Sequence, residues 1–356
     1  MSKLSIGIVG LPNVGKSTLF NALLGRQIAD ASNYPFCTID PNIGVVEVPD
    51  PKLKILADIV GTNKIIPAIV EFVDIAGLVK GASQGEGLGN KFLTNIRTCD
   101  AICHVLRYFS DDKVIKEGQI NPQSDFELIC AELIIKDLES IDKFIDANKN
   151  NTVQAKNLAV AKLVKSKLES GVLAKDISLD DFGQTFLDSF FLLTAKPFFI
   201  IANIDEDGYK NIKSAQLNIN DYPVVPVCAK VESDLSNFSP AERLDYLSSL
   251  GINKSGLEAV ITTAYQTLGL QSFYTTAGVK EVRAWTIKQG FTAPQAAGAV
   301  HSDFQRGFIM AEIVSYSDFI KYKGWQSAKT AGLLRHQGKD YIMQPDDVVE
   351  FRFNVT

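Results

Sequence analysis

The chain has 356 residues, enough for two or three domains with separate cores. Hydrophobic residues make up 46% and charged residues 22%, as in ordinary globular proteins, and the net charge of −5 excludes a globally basic nucleic-acid-binding protein. Five cysteines without C-x-x-C spacing are typical of reduced thiols rather than a disulfide scaffold. Because no signal segment opens the chain and no apolar run approaches ~18 residues, we expect a cytoplasmic protein with no membrane partner. We also expect no DNA partner.

The first motif is GLPNVGKS at residues 10–17, directly after the apolar run Leu4 to Val9. It fits G-x-x-x-x-G-K-[ST], a loop whose backbone N–H groups hold phosphates at the start of a helix. The apolar run predicts a parallel strand before the loop, and the residues after it predict a helix. In this motif Lys16 reaches the outer phosphates and the Ser17 hydroxyl binds Mg²⁺. The motif therefore predicts a site for a nucleoside triphosphate.

Strands alternate with helical segments over the first part of the chain, which predicts a doubly wound α/β sheet. The predicted strands are residues 45–48, 69–73, 101–106, 197–202 and 224–228. After residue 275 the strands become shorter, at 278–287, 307–314 and 347–355, around an Ala-rich helix that begins at Pro294. This second pattern predicts a small α+β module.

Between these two parts, from Phe126 to about Ser170, no strand pattern occurs. Apolar residues recur there at helical spacing on both sides of a polar break at 148–151: Ile134, Leu138, Ile141 and Ile145 before it, Ala161, Val164 and Leu168 after it. Two antiparallel helices would bury both stripes against each other. We therefore predict a helical arm inserted into the first domain, followed by a helix with Ser178 as its N-cap.

Two further segments place polar groups where nucleotide switches need them. Thr38 lies in a polar loop after the first helix, where its hydroxyl can bind Mg²⁺ and its backbone can contact the γ-phosphate. Asp74 ends a predicted strand and can reach the water shell of the metal. Gly77 has no Cβ, so its N–H can approach the γ-phosphate closely.

The base pocket is predicted at the ends of two later strands. Asn203, Ile204 and Glu206 stand where guanine-specific switches carry N-K-x-D. The carboxylate of Glu206 is one methylene longer than that of Asp, and Ile204 replaces the lysine, so we expect poor guanine recognition. The segment Cys228, Ala229 and Lys230 completes the predicted pocket.

The motifs GLPNVGKST, NYPFCTIDPN, VDIAGLVKGAS, GEGLGN, ANIDED, VKEVRAWTI and TAPQAAG resemble the YchF/Obg-like ATPase family along the whole chain. The resemblance implies a P-loop NTPase domain at 1–125 and 190–272, a helical coiled-coil-like insertion at 126–189, and a C-terminal TGS domain of β-grasp form at 273–356. It implies ATP and Mg²⁺ as ligands, preference for ATP over GTP, and association with ribosomes in translation or stress regulation.

Combining the motifs with the resemblance gives three sets of candidate site residues. The nucleotide contacts are Asn13, Val14, Gly15, Lys16, Ser17, Thr18, Asn203, Ile204, Glu206, Cys228, Ala229 and Lys230. The metal contacts are Ser17, Thr38 and Asp74. The catalytic residues are Lys16, Thr38 and Gly77.

One departure from the family pattern concerns hydrolysis. Relatives carry a histidine in the loop that is residues 111–118 here, and this loop has none. Leu78 stands where Ras-like switches place a water-orienting glutamine, which leaves Lys116 and Gln84 as weak candidates. His104 lies in a predicted strand beside Cys99 and Cys103, where we expect a structural role rather than a zinc site. We therefore expect slow ATP hydrolysis, with a GTPase of the same fold or an ATP-bound regulatory module with negligible turnover as the open alternatives.

The sequence also suggests where a ribosome would be contacted. From Thr276 onward ten Lys and Arg stand against eight Asp and Glu, so this segment carries +2 while the whole chain carries −5. We predict contact with ribosomal RNA or protein through the helical arm or through a C-terminal group of cations near an aromatic ring: Lys321, Lys323, Arg335 and Lys339 near Trp325.

Overall fold

The computed structural model of the chain describes residues 4–26, 42–75, 90–109, 121–210, 217–220, 222, 224–235, 238–252, 255–276 and 281–354. Five residues discussed above, and the loop 111–118 with them, lie outside these ranges: Thr38, Gly77, Leu78, Gln84 and Lys116. The roles assigned to them stay predictions. No helix in the described ranges is long and apolar enough to cross a membrane.

The described strands form two sheets. In chain order they are β1 (Ser5–Val9), β2 (Ile43–Glu47), β3 (Ile65–Ile66), β4 (Ile69–Asp74), β5 (Ala101–Arg107), β6 (Phe198–Asn203), β7 (Val224–Val227), β8 (Leu270–Thr275), β9 (Val282–Lys288), β10 (Phe308–Ser315), β11 (Arg335–Gln337) and β12 (Asp347–Phe353). The strands predicted in the first part of the chain are confirmed, whereas β3, β8 and β11 were not predicted.

The described helices surround and connect these strands. In chain order they are α1 (Lys16–Leu24), α2 (Pro51–Val60), α3 (Asn90–Thr98), α4 (Pro122–Asn148), α5 (Ala155–Glu169), α6 (Asp181–Asp188), α7 (Glu206–Lys210), α8 (Ala229–Leu235), α9 (Pro240–Ser249), α10 (Gly256–Thr267), α11 (Ala293–Val300), α12 (Ser302–Arg306), α13 (Tyr316–Lys321) and α14 (Trp325–Thr330).

The first sheet has the strand order β2-β4-β1-β5-β6-β7. β2 pairs antiparallel with β4, and the other five strands run parallel. β5 and β6 are buried along their whole length, as expected for central strands covered by helices on both faces. Because parallel strands end at the same edge, this edge gathers the loop after Val9, Asp74, Arg107, Asn203 and the segment after Val227.

Two apolar clusters cover the two faces of this sheet. One includes Leu23 of α1 and Ile261 of α10. The other includes Ile96 of α3 and residues of the helical arm, such as Phe126. The sheet is therefore a buried middle layer between two sets of helices. The polar residues named above lie at its carboxyl edge.

The helical arm consists of α4 and α5, which are joined by a short turn. All seven apolar residues predicted to form the two stripes lie in or against one buried cluster, and Ile141, Ala161, Val164 and Leu168 are almost completely buried. Lys165 of α5 forms an ion pair of 2.6 Å with Asp142 of α4. The predicted antiparallel helix pair is confirmed.

The predicted N-cap of the following helix is wrong by two residues. α6 is capped by Asp180, whose Oδ1 accepts a hydrogen bond of 2.8 Å from the Gly183 N–H, and not by Ser178. The sequence offers two capping side chains in Ser178-Leu179-Asp180, and the second lies at the distance from the free N–H group that capping requires.

The second sheet has the strand order β11-β10-β12-β8-β9-β3. Its edge strand β3 comes from the first part of the chain and pairs parallel with β9, with Ile65 opposite Val282. Two polar contacts continue this junction: the Tyr274 hydroxyl donates to Asp50 over 2.6 Å, and Lys64 lies 2.8 Å from Glu281. The C-terminal module is therefore joined to the first sheet domain by a strand pairing as well as by side chains. β8 spans residues 270–275, so it crosses the boundary predicted at 272/273.

Candidate nucleotide-binding site

The loop between β1 and α1 turns sharply over the carboxyl edge of the first sheet. Asn13 and Gly15 have positive φ angles of 61° and 93°. A Cβ added at Gly15 would lie 2.2 Å from Nδ2 of Asn203, so glycine is required by the backbone conformation and by the close contact. A Cβ at Gly10 would lie 2.5 Å from the carbonyl oxygen of Val105. The two glycines therefore let the loop lie directly on the ends of β5 and β6.

Lys16 is the first residue of α1 and is half-buried beneath this loop. Its Nζ donates a hydrogen bond of 2.7 Å to the carbonyl oxygen of Leu11. Burial lowers the pKa of Lys16 to about 8, against an opposing effect of the Asp74 carboxylate, which raises it. At neutral pH the side chain is thus a cation whose burial destabilises the folded protein. A bound phosphate would offset this destabilisation through its negative charge.

Two side chains near Lys16 carry oxygen donors suited to Mg²⁺: Ser17, the next residue of α1, and Asp74, whose charge acts on Lys16. The Ser17 hydroxyl is exposed on the first turn of α1, together with Thr18, while Val14 of the loop is buried. Asp74 is buried at the end of β4, which pairs with β1 so that Asp74 lies opposite Ile8. A hydroxyl and a carboxylate are hard donors of the kind that Mg²⁺ binds through one or two protein ligands plus phosphates. The described residues therefore fit the predicted metal, and Thr38 lies outside them.

Asn203 joins the loop to the base side of the site. Its Nδ2 donates to the carbonyl oxygen of Val14 over 2.9 Å, and its Oδ1 accepts from the N–H of Ala229 over 3.0 Å. The side chain is almost fully buried at 5% exposure. Three segments that are distant in sequence thus meet at one amide. The sequence predicted Asn203 as a nucleotide contact, and the structure adds that it positions the phosphate-binding loop.

The residues after Asn203 take different environments. Ile204 is buried in an apolar cluster that also contains Tyr209 and Cys228, and its N–H donates to the carbonyl oxygen of Val227 over 2.9 Å. Glu206 begins α7 and forms an ion pair of 2.9 Å with Lys210. The hydrogen bond from Lys210 lowers the pKa of the Glu206 carboxyl, which is therefore ionised at neutral pH. Glu206 is thus a half-buried, ion-paired carboxylate, whereas Ile204 is part of the apolar packing.

The segment after β7 lies beside these residues. Cys228 and Ala229 are buried, and Lys230 is exposed on the first turn of α8. Burial raises the pKa of the Cys228 thiol, so this cysteine is neutral near pH 7. Two contacts join this segment to the one that begins at Asn203: the Ala229 N–H donates to Asn203 Oδ1, and Ile204 and Cys228 share one apolar cluster. That the two segments contact the base stays a prediction.

One further polar residue at this edge of the sheet, Arg107, was not assigned a role in the site. Arg107 ends β5 beside Asn203 and is buried at 4% exposure; its Nε donates to the Phe109 carbonyl oxygen over 2.9 Å, and its guanidinium lies 4.8 Å from the Phe109 ring. Its position at a strand end at the same edge was the available signal. His104, in contrast, lies inside the sheet between the rings of Phe126 and Phe198, and burial lowers its pKa to about 3.

Two family models match the chain. One, described as "50S ribosome-binding GTPase", matches residues 5–149, which include the loop, α1 and Asp74. The other, for the C-terminal part of YchF-type GTPases and described as a protein of unknown function, matches residues 270–354, from β8 to β12.

Relatives match this chain along nearly their whole length. The chain is 49% identical to the ribosome-binding ATPase YchF of Pasteurella multocida, over 98% of this chain and 99% of that protein. It is 46% identical to the protein of the same name from Bacillus subtilis, over 99% of this chain and 100% of that protein. The solved structure of the Schizosaccharomyces pombe YchF GTPase superposes with a TM-score of 0.90 at 35% identity and 98% coverage of both chains. With relatives of this identity along nearly its whole length, the chain belongs to the YchF family.

Proposed function

We propose that this chain is a slow ATP-hydrolysing switch that acts on the ribosome, with ATP and Mg²⁺ as its ligands. The observation that carries the proposal is the Asn203 amide, which joins the phosphate-binding loop to both base-side segments. A site assembled in this way binds phosphate and base together, as a nucleotide switch must. The names of the bacterial relatives support ATPase activity and ribosome binding.

The phosphates would be held by the N–H groups of residues 13–18 and by Lys16. Mg²⁺ would be held by Ser17, by Asp74 and, as predicted, by Thr38. When bound, Mg²⁺ supplies positive charge that stabilises the phosphate oxygens during transfer. Phosphoryl transfer needs positioning and charge more than covalent chemistry, and the site is rich in charge. It has no assigned residue that orients water, since Leu78 replaces the usual glutamine, so we expect turnover far below ~1 s⁻¹.

The choice of base rests on Ile204 and Glu206. Guanine is recognised by a short carboxylate that accepts two hydrogen bonds, and Glu206 carries its carboxylate one methylene further out on an ion-paired side chain. A mispaired buried hydrogen bond costs about 1–3 kcal/mol. We therefore expect ATP to bind about tenfold or more tightly than GTP. The second candidate is a GTPase, because one matching family model and the solved relative carry that name.

Single-turnover hydrolysis of ATP by the pure protein tests the proposed activity, with and without added ribosomes. We expect a rate far below ~1 s⁻¹ alone and a faster rate with ribosomes. The matched control is Lys16→Ala, which should remove both rates. A rate near 10 s⁻¹ without ribosomes would contradict the proposal of a slow switch, because a typical enzyme turns over at about that rate. An undiminished rate in the control would place the active site elsewhere.

Two surfaces are candidates for the ribosome contact. In the C-terminal module Lys321, Lys323 and Lys339 are exposed. Trp325 serves a different purpose from the predicted one, because its indole N–H donates to Thr276 over 2.8 Å and its ring packs against Phe319. It is therefore part of the module's own packing rather than a free stacking surface.

The second surface is the outer side of α5. Its exposed residues include three lysines, Lys156, Lys162 and Lys167, which are spread over about 16 Å of the helix axis. Three exposed lysines on one helix offer cations for a phosphate backbone.

Co-sedimentation with ribosomes separates these two surfaces. One variant reverses the charge of Lys321, Lys323 and Lys339, and the matched variant reverses that of Lys156, Lys162 and Lys167. We expect at least one of the two to reduce ribosome binding and to weaken its salt dependence, because each lost phosphate contact removes released counterions. Undiminished binding in both variants would contradict contact through these lysines. ATP affinity should be unchanged in both, which serves as the check on folding.

A further inference from the structure

A buried carboxylate lies behind the base side of the nucleotide site. Glu232 belongs to α8, which begins directly at the Cys228-Ala229-Lys230 segment, and its side chain is 0% exposed. Its Oε1 accepts from the Tyr209 hydroxyl over 2.9 Å and from the Gly256 N–H over 2.6 Å. Its Oε2 accepts from the Ser255 hydroxyl over 2.7 Å. The carboxylate therefore faces the N-terminus of α10, where the helix dipole stabilises its charge.

The groups that contact Glu232 extend both base-side segments. Tyr209 lies on α7, which begins at Glu206, and its N–H donates to the carbonyl oxygen of Asp205. The N–H of Glu232 itself donates to the carbonyl oxygen of Cys228 over 3.0 Å. Glu232 therefore lies on the same short helix as Lys230, and Tyr209 lies on the same short helix as Glu206. A shift of either helix would move those residues relative to the phosphate-binding loop.

The same network reaches the helix of the phosphate-binding loop. Arg26, just after the end of α1, donates to the Ser255 hydroxyl oxygen over 2.8 Å. Its guanidinium lies 3.8 Å from Glu232 and 3.7 Å from Glu258. The start of α1 carries Lys16 and Ser17, so one end of this helix lies at the phosphates and the other at the Glu232 network.

We propose that Glu232 is a positioning residue for the nucleotide site. Its carboxylate holds α7 and α8 against α10, and Arg26 connects this group of helices to α1. Glu232 thereby sets the affinity of the site for the base relative to its affinity for the phosphates. The inference rests on the proposed nucleotide-binding function. Glu232 does not touch the nucleotide in this account. It acts through the positions of Glu206 and Lys230 on one side and of α1 on the other.

A second buried carboxylate provides a matched control. Asp137 of α4 is 0% exposed and accepts three hydrogen bonds of 2.6–2.8 Å from Leu193 and Thr194. It has the same burial and kind of partners as Glu232, but its contacts join the helical arm to the turn before β6. A purely structural role for Glu232 predicts that both carboxylates behave alike. A positioning role predicts that Glu232 alone affects nucleotide binding.

The test compares Glu232→Gln with Asp137→Asn in titrations of full-length protein with ATP and with inorganic triphosphate. Glutamine keeps one acceptor for Tyr209 and Gly256 but loses the charge that pairs with Arg26. We expect both variants to lower the Tm. Only Glu232→Gln should raise the Kd for ATP, by about fivefold or more, with a smaller change for triphosphate, which lacks a base. An unchanged ATP Kd in Glu232→Gln, or an equal change in both variants, would overturn the proposal.

A milder variant covers the case in which Glu232→Gln does not fold. Tyr209→Phe removes the hydroxyl that donates to Glu232 and accepts from the Gly256 N–H over 2.7 Å, and it keeps the ring in its apolar cluster. It should raise the ATP Kd in the same direction and leave the triphosphate Kd nearly unchanged; equal Kd values in variant and wild type would overturn the proposal. Wild-type protein in the same titration separates the two claims. If wild type does not bind ATP, the proposed function fails; if it binds and the variants bind equally well, this inference alone fails.

Discussion

Lys16 is predicted to lower the stability of the free protein while making nucleotide binding possible. Burial lowers its pKa from the ordinary 10.5 to about 8. This difference corresponds to a cost of about 3 kcal/mol for holding the cation in the folded state. Lys16→Met removes the cation and keeps the apolar stem, but it leaves the Leu11 carbonyl oxygen without its 2.7 Å donor, which costs about 1 kcal/mol. The net expectation is a gain in unfolding free energy of about 2 kcal/mol at pH 7.

The sign of this effect depends on pH. At pH 7 both the folded and the unfolded states hold the Lys16 proton, so the full cost is present. Above about pH 8 the folded state loses the proton first, and the cost falls until the unfolded state also loses it near pH 10.5. At pH 9.5 about half of the cost remains, so the gain from Lys16→Met should fall close to zero.

Urea unfolding of the two proteins at pH 7 and pH 9.5 measures this difference directly. The control is Lys54→Met, because Lys54 is 66% exposed and pairs with Asp58 across one helical turn, so little change is expected at either pH. In parallel, Lys16→Met should weaken ATP binding by about tenfold or more. A loss of stability at pH 7, or a gain that does not change with pH, would refute the description of Lys16 as a buried and costly cation.

The other predictions concern single residues of the site and the sheet. Gly15→Ala should destabilise the protein by about 3 kcal/mol or more and abolish ATP binding, because its Cβ would meet Asn203 Nδ2 at 2.2 Å in a left-handed backbone; normal ATP titration would contradict this. Asn203→Ala should lower the free energy of unfolding by about 2–4 kcal/mol, because it removes the side-chain partner of the Val14 carbonyl oxygen and of the Ala229 N–H. A loss below about 1 kcal/mol in urea unfolding would contradict the role of Asn203 in joining these two segments. Burial lowers the pKa of His104 to about 3 in the folded state, so below pH 6.5 the unfolded state binds a proton that the folded state does not. The free energy of unfolding of the wild type should therefore fall by about 1.4 kcal/mol per pH unit below 6.5, relative to that of His104→Leu. Parallel pH profiles of the two proteins would show that His104 is not buried as a neutral ring.

The parts of the fold that depend on local pattern were predictable from the sequence. The glycine spacing, the strand before it and the helix after it lie within 21 residues, and all were confirmed in the structure. The stripes of the helical arm were equally clear because a 3.6-residue period needs no knowledge of distant segments. The N-cap of α6 was misplaced because Ser178 and Asp180 are both good capping residues and only geometry separates them.

The parts that depend on distant contacts were not predictable. β3 has two residues and pairs with β9, more than 200 positions away in the chain. So short an apolar run does not indicate which strand it will pair with. The Glu232 network joins Arg26, Tyr209 and Ser255, which are far apart in the chain. Asn203 was found because it follows a buried strand, yet its role in holding the phosphate-binding loop became visible only when that loop was seen to lie against it. Motifs therefore identify the residues of a site, and the contacts between segments determine how they act.

We expect this site to bind adenine nucleotides in preference to guanine nucleotides. Displacement of a fluorescent ATP analogue by unlabelled ATP and GTP, on the pure protein with Mg²⁺, tests it most directly. ATP should compete about tenfold or more better than GTP, since Ile204 and Glu206 replace the residues that guanine requires. Equal competition by the two nucleotides, or better competition by GTP, would contradict it and favour a GTPase.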